Sequence, residues 1–380
     1  EGFILPKQNA REAAVVNNLK VYGVENIKEV IEFFNNERNL EPSIVNTREE
    51  FCENQSSFPY DFADVKGQES VKRALEVAAS GGHNLIMIGS PGSGKSMMAK
   101  CMPSILPPLS LGESLETTKI HSVAGKLGKD SSLIAIRPFR SPHHTISQVA
   151  MVGGGTNPQP GEISLAHNGL LFLDELPEFN RSVLEVLRQP LEDRHISIAR
   201  AKYSLDYPAS FMLVASMNPC PCGYYNHPTR ACVCNPGQVQ RYLNRISGPL
   251  LDRIDIQIEI VPVPFEKMAE RHHAESSASI RERVIKAREI QAQRFANHPG
   301  IYCNAQMEAG LLHLYAQPNE AGLKLLRTAM TRLNLSARAY GRILKVARTI
   351  ADLDNSEHIT SIHLAEAISY RNLDREDWAG

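Results

Sequence analysis

Gly89-Ser90-Pro91-Gly92-Ser93-Gly94-Lys95-Ser96 is the segment that leaves this chain the fewest choices of fold. It matches G-x-x-x-x-G-K-[ST] at every fixed position, follows the strand-like run Leu85–Ile88 and precedes a helical stretch Met97–Met102. Such a loop works only between a buried strand and a helix N-terminus. Glycines let backbone N–H groups wrap a phosphate, the helix end adds favourable partial charge, Lys95 reaches the terminal phosphates and Ser96 offers a hydroxyl to Mg²⁺. A phosphate-free glycine turn before a helix is the ordinary competitor, and the strand on one side and the helix on the other weigh against it.

The surrounding sequence repeats that alternation. Between Val65 and Val263, short apolar runs at Asn84–Ile88, Gly169–Leu173 and Phe211–Ser216 alternate with helical stretches, which predicts an α/β fold: a parallel sheet with crossover helices, an αβα P-loop core. Gly169–Leu173 runs into Asp174 and Glu175, giving one carboxylate to hold hydrated Mg²⁺ and a second to polarise an attacking water. Alone, the pair reads as an acidic cap before Leu176-Pro177; together with the phosphate loop it reads as a hydrolytic strand. Asn218, after Phe211–Ser216, is either a turn residue before Pro219 or a neutral amide orienting water and the γ-phosphate from a strand between the other two. Arg253 is either a finger reaching a neighbouring subunit, an effect worth ~10³ to 10⁵ in rate in other NTPases, or half of a surface ion pair with Asp252 or Asp255. Arg338 opens a helix whose other arginines compete for the same role.

Composition sets the frame. With 42% hydrophobic and 22% charged residues the chain is ordinary for a folded protein, and 41 Lys plus Arg against 42 Asp plus Glu excludes a uniformly basic nucleic-acid binder. No apolar run is long enough for a bilayer and no leader-like segment opens the chain, so a cytoplasmic protein without membrane contact is expected. Glu1 stands where a Met would start, and a fragment is the expectation. The boundaries expected are a small folded edge at 1–34, a polar linker at 35–60, the ATPase core at 61–264, a connecting helix at 265–300 and an all-helical lid at 301–380 whose helices break near Pro318, Asn334 and Asn355.

Several longer stretches carry a family resemblance: Phe62–Gln68, the phosphate loop, RPFRSPHHTIS (Arg137–Ser147), Val152–Phe179, SMNPCPCG (Ser216–Gly223) and LSARAYGRILKVARTIADL (Leu335–Leu353). Over nearly all of 58–372 the chain resembles the magnesium-chelatase-like AAA+ ATPases of the ComM (YifB) type, and 1–34 resembles the end of the Lon-protease-like domain that precedes the ATPase there. The resemblance implies ATP and Mg²⁺ as cofactors, with Val65 and the loop Gly89, Ser90, Pro91, Gly92, Ser93, Gly94, Lys95, Ser96 and Met97 against the nucleotide. It implies Asp174 and Glu175 in the acidic strand, Asn218 as first sensor, Arg253 as trans-acting finger and Arg338 as second sensor. It also implies a homo-oligomeric ring, usually a hexamer, and, for the ComM type, a helicase that migrates DNA branches during natural transformation. The competing readings are the motor of a metal chelatase and a nucleotide-switched scaffold without turnover.

Two further clusters call for partners. Ile196–Ala199 and Tyr203–Leu205 flank Arg200-Ala201-Lys202 as a hairpin with a basic tip, suited in a ring to grip single-stranded or branched DNA through Arg200 and Lys202, or else a solvated turn. Cys220, Cys222, Cys232 and Cys234 fall within fifteen positions and suit one structural Zn²⁺, with His227 as a substitute ligand; free thiols and redox chemistry are the alternatives. Adjacent His143 and His144 point apart on a strand and favour polar contacts over a shared metal. From Lys324 to Ala351 seven cations and no acid form an expected basic face, and charge alone does not distinguish nucleotide, DNA and an acidic neighbour.

Overall fold

The computed structural model describes residues 2–14, 19–43, 51, 55, 58–128, 133–155, 158–200, 203–263, 274–333 and 335–371. They divide into two compact units, one made of 1–57 with 108–138 and the other of 58–107 with 139–380. In the first, β1 (Gly2–Pro6) pairs in parallel with β2 (Lys20–Val24) across the helix Lys7–Ala13, burying Ala10, Ala14 and Val21. That helix begins directly after Pro6, and residues 15–18 lie outside the described residues. The helix Ile27–Phe34 is capped by Asn26, whose side chain accepts from the Glu29 N–H at 3.2 Å. Within 35–60, expected as a linker, Ser43 bridges to Val21, and Phe51 is buried with Leu109 and Ala135.

The second unit carries the sheet. Its strands are β3 (Leu85–Gly89), β4 (Phe139–Arg140), β5 (Gly153–Gly154), β6 (Gln159–Pro160), β7 (Leu170–Leu173), β8 (His195–Arg200), β9 (Tyr203–Pro208), β10 (Met212–Met217) and β11 (Ile256–Ile260). Five of them form one parallel sheet in the order β11-β3-β10-β7-β4. Every residue of β3, β7 and β10 is buried, as a sheet covered on both faces requires. The two faces separate by alternation. Leu85, Met87, Leu170, Phe172, Met212 and Val214 belong to one core with the C-terminal helices. Ile86, Ile88, Leu171, Leu173, Leu213 and Ala215 belong to another, closed by the segment 151–187 and by Tyr242, Ile246 and Leu250. Outside the sheet, β5 pairs with β6, and β8 with β9 as the expected antiparallel hairpin from His195↔Pro208 to Arg200↔Tyr203.

The C-terminal helices Ala309–Tyr315, Glu320–Arg332, Ala337–Leu353 and Ser361–Ser369 are separated at Pro318 and Asn355 as expected, and the second break falls between Arg332 and Ala337, where Asn334 itself lies outside the described residues. Together with the helix Ser277–Arg294 they join the sheet in a single compact unit. Beyond the last of them, Arg371 bridges in parallel to Gln257 of β11, and the Gln257 N–H donates to the Tyr370 carbonyl at 2.7 Å. No helix among the described residues is long and apolar enough to cross a membrane.

Buried polar groups join the helices to the sheet. Asp255, 1% exposed, accepts from Arg342 at 2.6 Å and from the Asn84 N–H at 3.0 Å, with His83 Nδ1 at 3.4 Å. Burial raises the carboxyl's pKa, but the Arg342 guanidinium, the contact with His83 and the Lys345 charge together outweigh it and hold Asp255 well below the usual carboxylate range. Burial also lowers His83, which is neutral near pH 7 and meets the Thr349 hydroxyl at 2.8 Å. The helix 337–353 is therefore not one solvated basic face. Arg342 serves Asp255, Lys345 donates to the Ala305 carbonyl at 2.9 Å, and Arg348 donates to Asp352 at 3.1 Å. Asp255→Ala leaves Arg342 without its partner and is expected to cost about 3–5 kcal/mol in chemical denaturation at pH 7. Because the folded pKa is depressed, that contribution is complete above the ordinary value of 3.8 and is lost on acidification below it, so the deficit of the variant narrows there.

Candidate active site

Parallel pairing sets the C-terminal ends of β3, β10 and β7 side by side, the edge where open α/β sheets hold ligands. At the end of β3, Gly89 must be glycine, because a Cβ there would stand 2.8 Å from the Ile260 carbonyl oxygen and 2.8 Å from Ser93 Oγ. Gly92 and Gly94 take φ of 79° and 90°, turning the loop into the helix Lys95–Ile105. Lys95 Nζ folds back over the loop and donates to the carbonyls of Gly89 (2.7 Å) and Ser90 (2.9 Å), and to Asn218 Oδ1 at 3.3 Å. Burial lowers its pKa, while Asp174 and Glu175 favour the charged form.

Asp174, just past β7, accepts from the Ser96 hydroxyl at 2.7 Å and from Ser216 of β10. Ser96 and Asp174 thus place two hard oxygen donors together, the donor type Mg²⁺ prefers, and they fit that ion. Ser216 is a partner that sequence reasoning missed. Its signal was its place two residues before Asn218, on the alternation that carries both to the same edge. Glu175 sits in the left-handed region at φ 55° and ψ 50°, uncommon for a residue with a Cβ, and its side chain is 54% exposed. His144 Nδ1 lies 3.8 Å from Glu175 Oε2. His143 and His144 do not lie on a strand and do not point apart as expected: outside any strand, their rings come to 4.1 Å at a tilt of 34°, and His143 Nδ1 meets Thr145 Oγ1 at 2.9 Å.

The two arginines sit elsewhere. Arg253 is only 10% exposed and is held inside its own chain, donating to the carbonyls of Arg188 (3.1 Å) and Pro249 (2.6 Å) and pairing with Glu192 (2.6 Å). Its acidic partner is therefore Glu192, not Asp252 or Asp255. Arg338 is 66% exposed and pairs with Asp252 at 3.1 Å. Val65 follows the turn Phe62–Asp64 and is buried in the same apolar core as Phe62, with half-buried Met97 packed against that core. Lys202 and the Arg200 side chain lie outside the described residues.

The four cysteines converge. Their sulfurs lie within 4.8 Å of one another, with Cys220 to Cys222 at 3.3 Å, Cys222 to Cys232 at 3.5 Å and Cys220 to Cys232 at 3.7 Å. Four thiolates about 2.3 Å from a tetrahedral zinc stand about 3.8 Å apart, so the cluster fits that ion. Desolvation raises the Cys222 pKa, yet backbone N–H groups at Val233 and Tyr224 together with the Cys220 and Cys232 thiols outweigh it and bring the thiol down to about 6. The cluster holds the four sulfurs without His227, whose Nδ1 instead accepts from the N–H groups of Thr229 (3.2 Å) and Arg230 (3.1 Å). Tyr224 is occupied by Arg230, which donates to its hydroxyl at 2.7 Å.

Comparison with known proteins agrees with this arrangement. The family described as magnesium chelatase, subunit ChlI, matches residues 61–268, and its C-terminal counterpart matches 274–371. The chain belongs to the magnesium-chelatase-like AAA+ family, of the ComM (YifB) type. It is 43% identical over 375 residues to the competence protein ComM of Haemophilus influenzae, covering 98% of this chain and 72% of that protein. It is 43% identical to the YifB protein of Escherichia coli over 379 residues, again 98% of this chain and 71% of the relative. A more distant likeness, 25% over 179 residues, links it to the magnesium-chelatase 38 kDa subunit of Rhodobacter capsulatus, 42% of this chain and 50% of that one. The parallel five-stranded sheet followed by helices is the architecture of a AAA+ core with its helical domain.

Ser216→Ala removes one of the two hydroxyls on Asp174, so the Mg²⁺ concentration for half-maximal ATP turnover is expected to rise about tenfold, read from a metal titration. Glu175→Gln is expected to lower turnover at least ~10²-fold while nucleotide binding, followed by a fluorescent ATP analogue, is retained. Unchanged turnover would overturn the assignment of the water-polarising role.

Proposed function

We propose that this member of the family is an ATP-hydrolysing ring motor, a hexamer in the cytoplasm, that acts on single-stranded or branched DNA as a branch-migration helicase. The observation that carries the hydrolytic half is the convergence of Lys95, Ser96, Asp174 and Asn218 at one sheet edge, with Glu175 exposed beside them. In this reading Lys95 exchanges its carbonyl partners for the terminal phosphates of ATP, and Asn218, already 3.3 Å from that ammonium, orients the γ-phosphate. Bound Mg²⁺ neutralises phosphate charge. Asp174 is kept in place for the ion by Ser216, and Glu175 takes up the proton of the attacking water. Arg253 acts across subunits only after its bonds to Arg188, Pro249 and Glu192 open. Arg338 reaches the nucleotide after leaving Asp252. A structural Zn²⁺ at the four cysteines is part of the same reading.

The DNA half rests on the 43% identity to the competence protein ComM and on the basic hairpin tip. The chelatase-motor reading is favoured by a different finding, the likeness to the magnesium-chelatase 38 kDa subunit. A salt series separates them. DNA-stimulated ATP turnover and strand displacement on forked substrates are expected at low salt, with DNA affinity falling steeply as salt rises. Arg200→Ala with Lys202→Ala is expected to weaken DNA binding and reduce the salt slope while leaving DNA-free turnover unchanged. Absence of any DNA stimulation at low salt would reject the DNA reading in favour of the chelatase one.

A further inference from the structure

The four-cysteine loop lies against the phosphate loop. Gly223, between the first cysteine pair and the aromatic turn, takes φ 83°, and a Cβ on it would stand 2.5 Å from Pro91 Cδ and 2.8 Å from Pro91 Cγ. Pro91 is the third residue of the phosphate loop. The approach is fixed by a tight turn in which the Gly223 N–H donates to the Cys220 carbonyl at 2.9 Å. Cys220 is fully buried and stands two residues after Asn218, which touches Lys95.

At its other end the loop runs from Cys234 into Asn235, which caps the helix Pro236–Leu243. Tyr242 of that helix is buried, and burial raises its phenol while a hydrogen bond with the Asn218 backbone opposes the rise. The segment from Asn218 to Cys234 has no helix or strand of its own. A stretch of this length holds one shape only when something inside it replaces the missing core. The sulfur cluster is the group placed to do so.

We infer that a zinc ion at Cys220, Cys222, Cys232 and Cys234 braces the nucleotide site, holding Gly223 against Pro91 and Asn218 beside Lys95, so that ATP affinity depends on zinc occupancy. The inference rests on the proposed structural zinc and nucleotide site and goes beyond them by coupling the two. The coupling is mechanical. Without the ion, four thiols replace one rigid tetrahedron, and the turn that meets Pro91 loses the anchors on both sides of Gly223.

The test uses the full chain as isolated. Zinc content is measured by elemental analysis, the ion is removed with 1,10-phenanthroline, which leaves Mg²⁺ in place, and the protein is then reloaded with Zn²⁺ alone. Binding of a fluorescent ATP analogue in Mg²⁺ and far-UV circular dichroism are followed at each stage. About one zinc per chain is expected, with nucleotide affinity falling about tenfold on removal and returning on reloading, while helix content stays constant. Gly223→Val keeps all four ligands and is expected to retain zinc while losing a similar factor in nucleotide affinity. Zinc bound, with affinity unmoved by both removal and Gly223→Val, would overturn the coupling and leave the zinc site standing. No zinc as isolated or after reloading would overturn the site and the coupling together. No nucleotide binding by the zinc-loaded chain would overturn the nucleotide site itself.

Discussion

Lys95 is a buried cation that must be satisfied at the edge of the sheet, and the arrangement of the site follows from how that is done. Two carbonyls of its own loop and the Asn218 amide hold it, and the second link exists only because β10 lies between β3 and β7. The same insertion brings Ser216 to Asp174, and Asp174 to Ser96. One strand order thus joins the phosphate loop, Asp174 and Asn218, drawn from separate stretches of the chain, into a single hydrogen-bonded chain.

Asp255 does for the helical domain what Lys95 does for the site. It stands just before β11, at the opposite end of the strands from the phosphate loop, and gathers Arg342, His83 and the Asn84 backbone into one desolvated cluster. Arg294, Arg348 and Asn304 repeat the pattern around Asp352 deeper among the helices. Buried ion pairs of this kind contribute little net stability relative to apolar packing, but removing one partner leaves the other charge buried and uncompensated.

The phosphate loop, the acidic strand, the hairpin, the helix breaks at Pro318 and Asn355, and the cysteine cluster were all legible in the sequence, because each is a local pattern with a local cause. A loop glycine is dictated by backbone angle, a buried strand by its unbroken apolar run, and a helix end by its cap. Cationic side chains were the hardest to read. Arg253, Arg342, Lys345 and Arg348 look alike in the chain, and which of them faces solvent, a carbonyl or a carboxylate depends on segments far away. Ser216 belongs to the same class, an unremarked hydroxyl until the neighbouring strand supplies its acceptor.

By itself, then, the sequence determined that the chain builds a parallel P-loop sheet, which residues line the phosphate loop and where the acidic strand ends, since these follow from spacing and residue type over short stretches. Only the tertiary structure decided that Arg253 is enclosed by Glu192 and two carbonyls, that Arg342 and Arg348 of the basic helix turn to Asp255 and Asp352, and that Gly223 meets Pro91. The physical reason is that charge and contact act through space. Their partners are set by strand order and chain crossing, which no local pattern of residues contains.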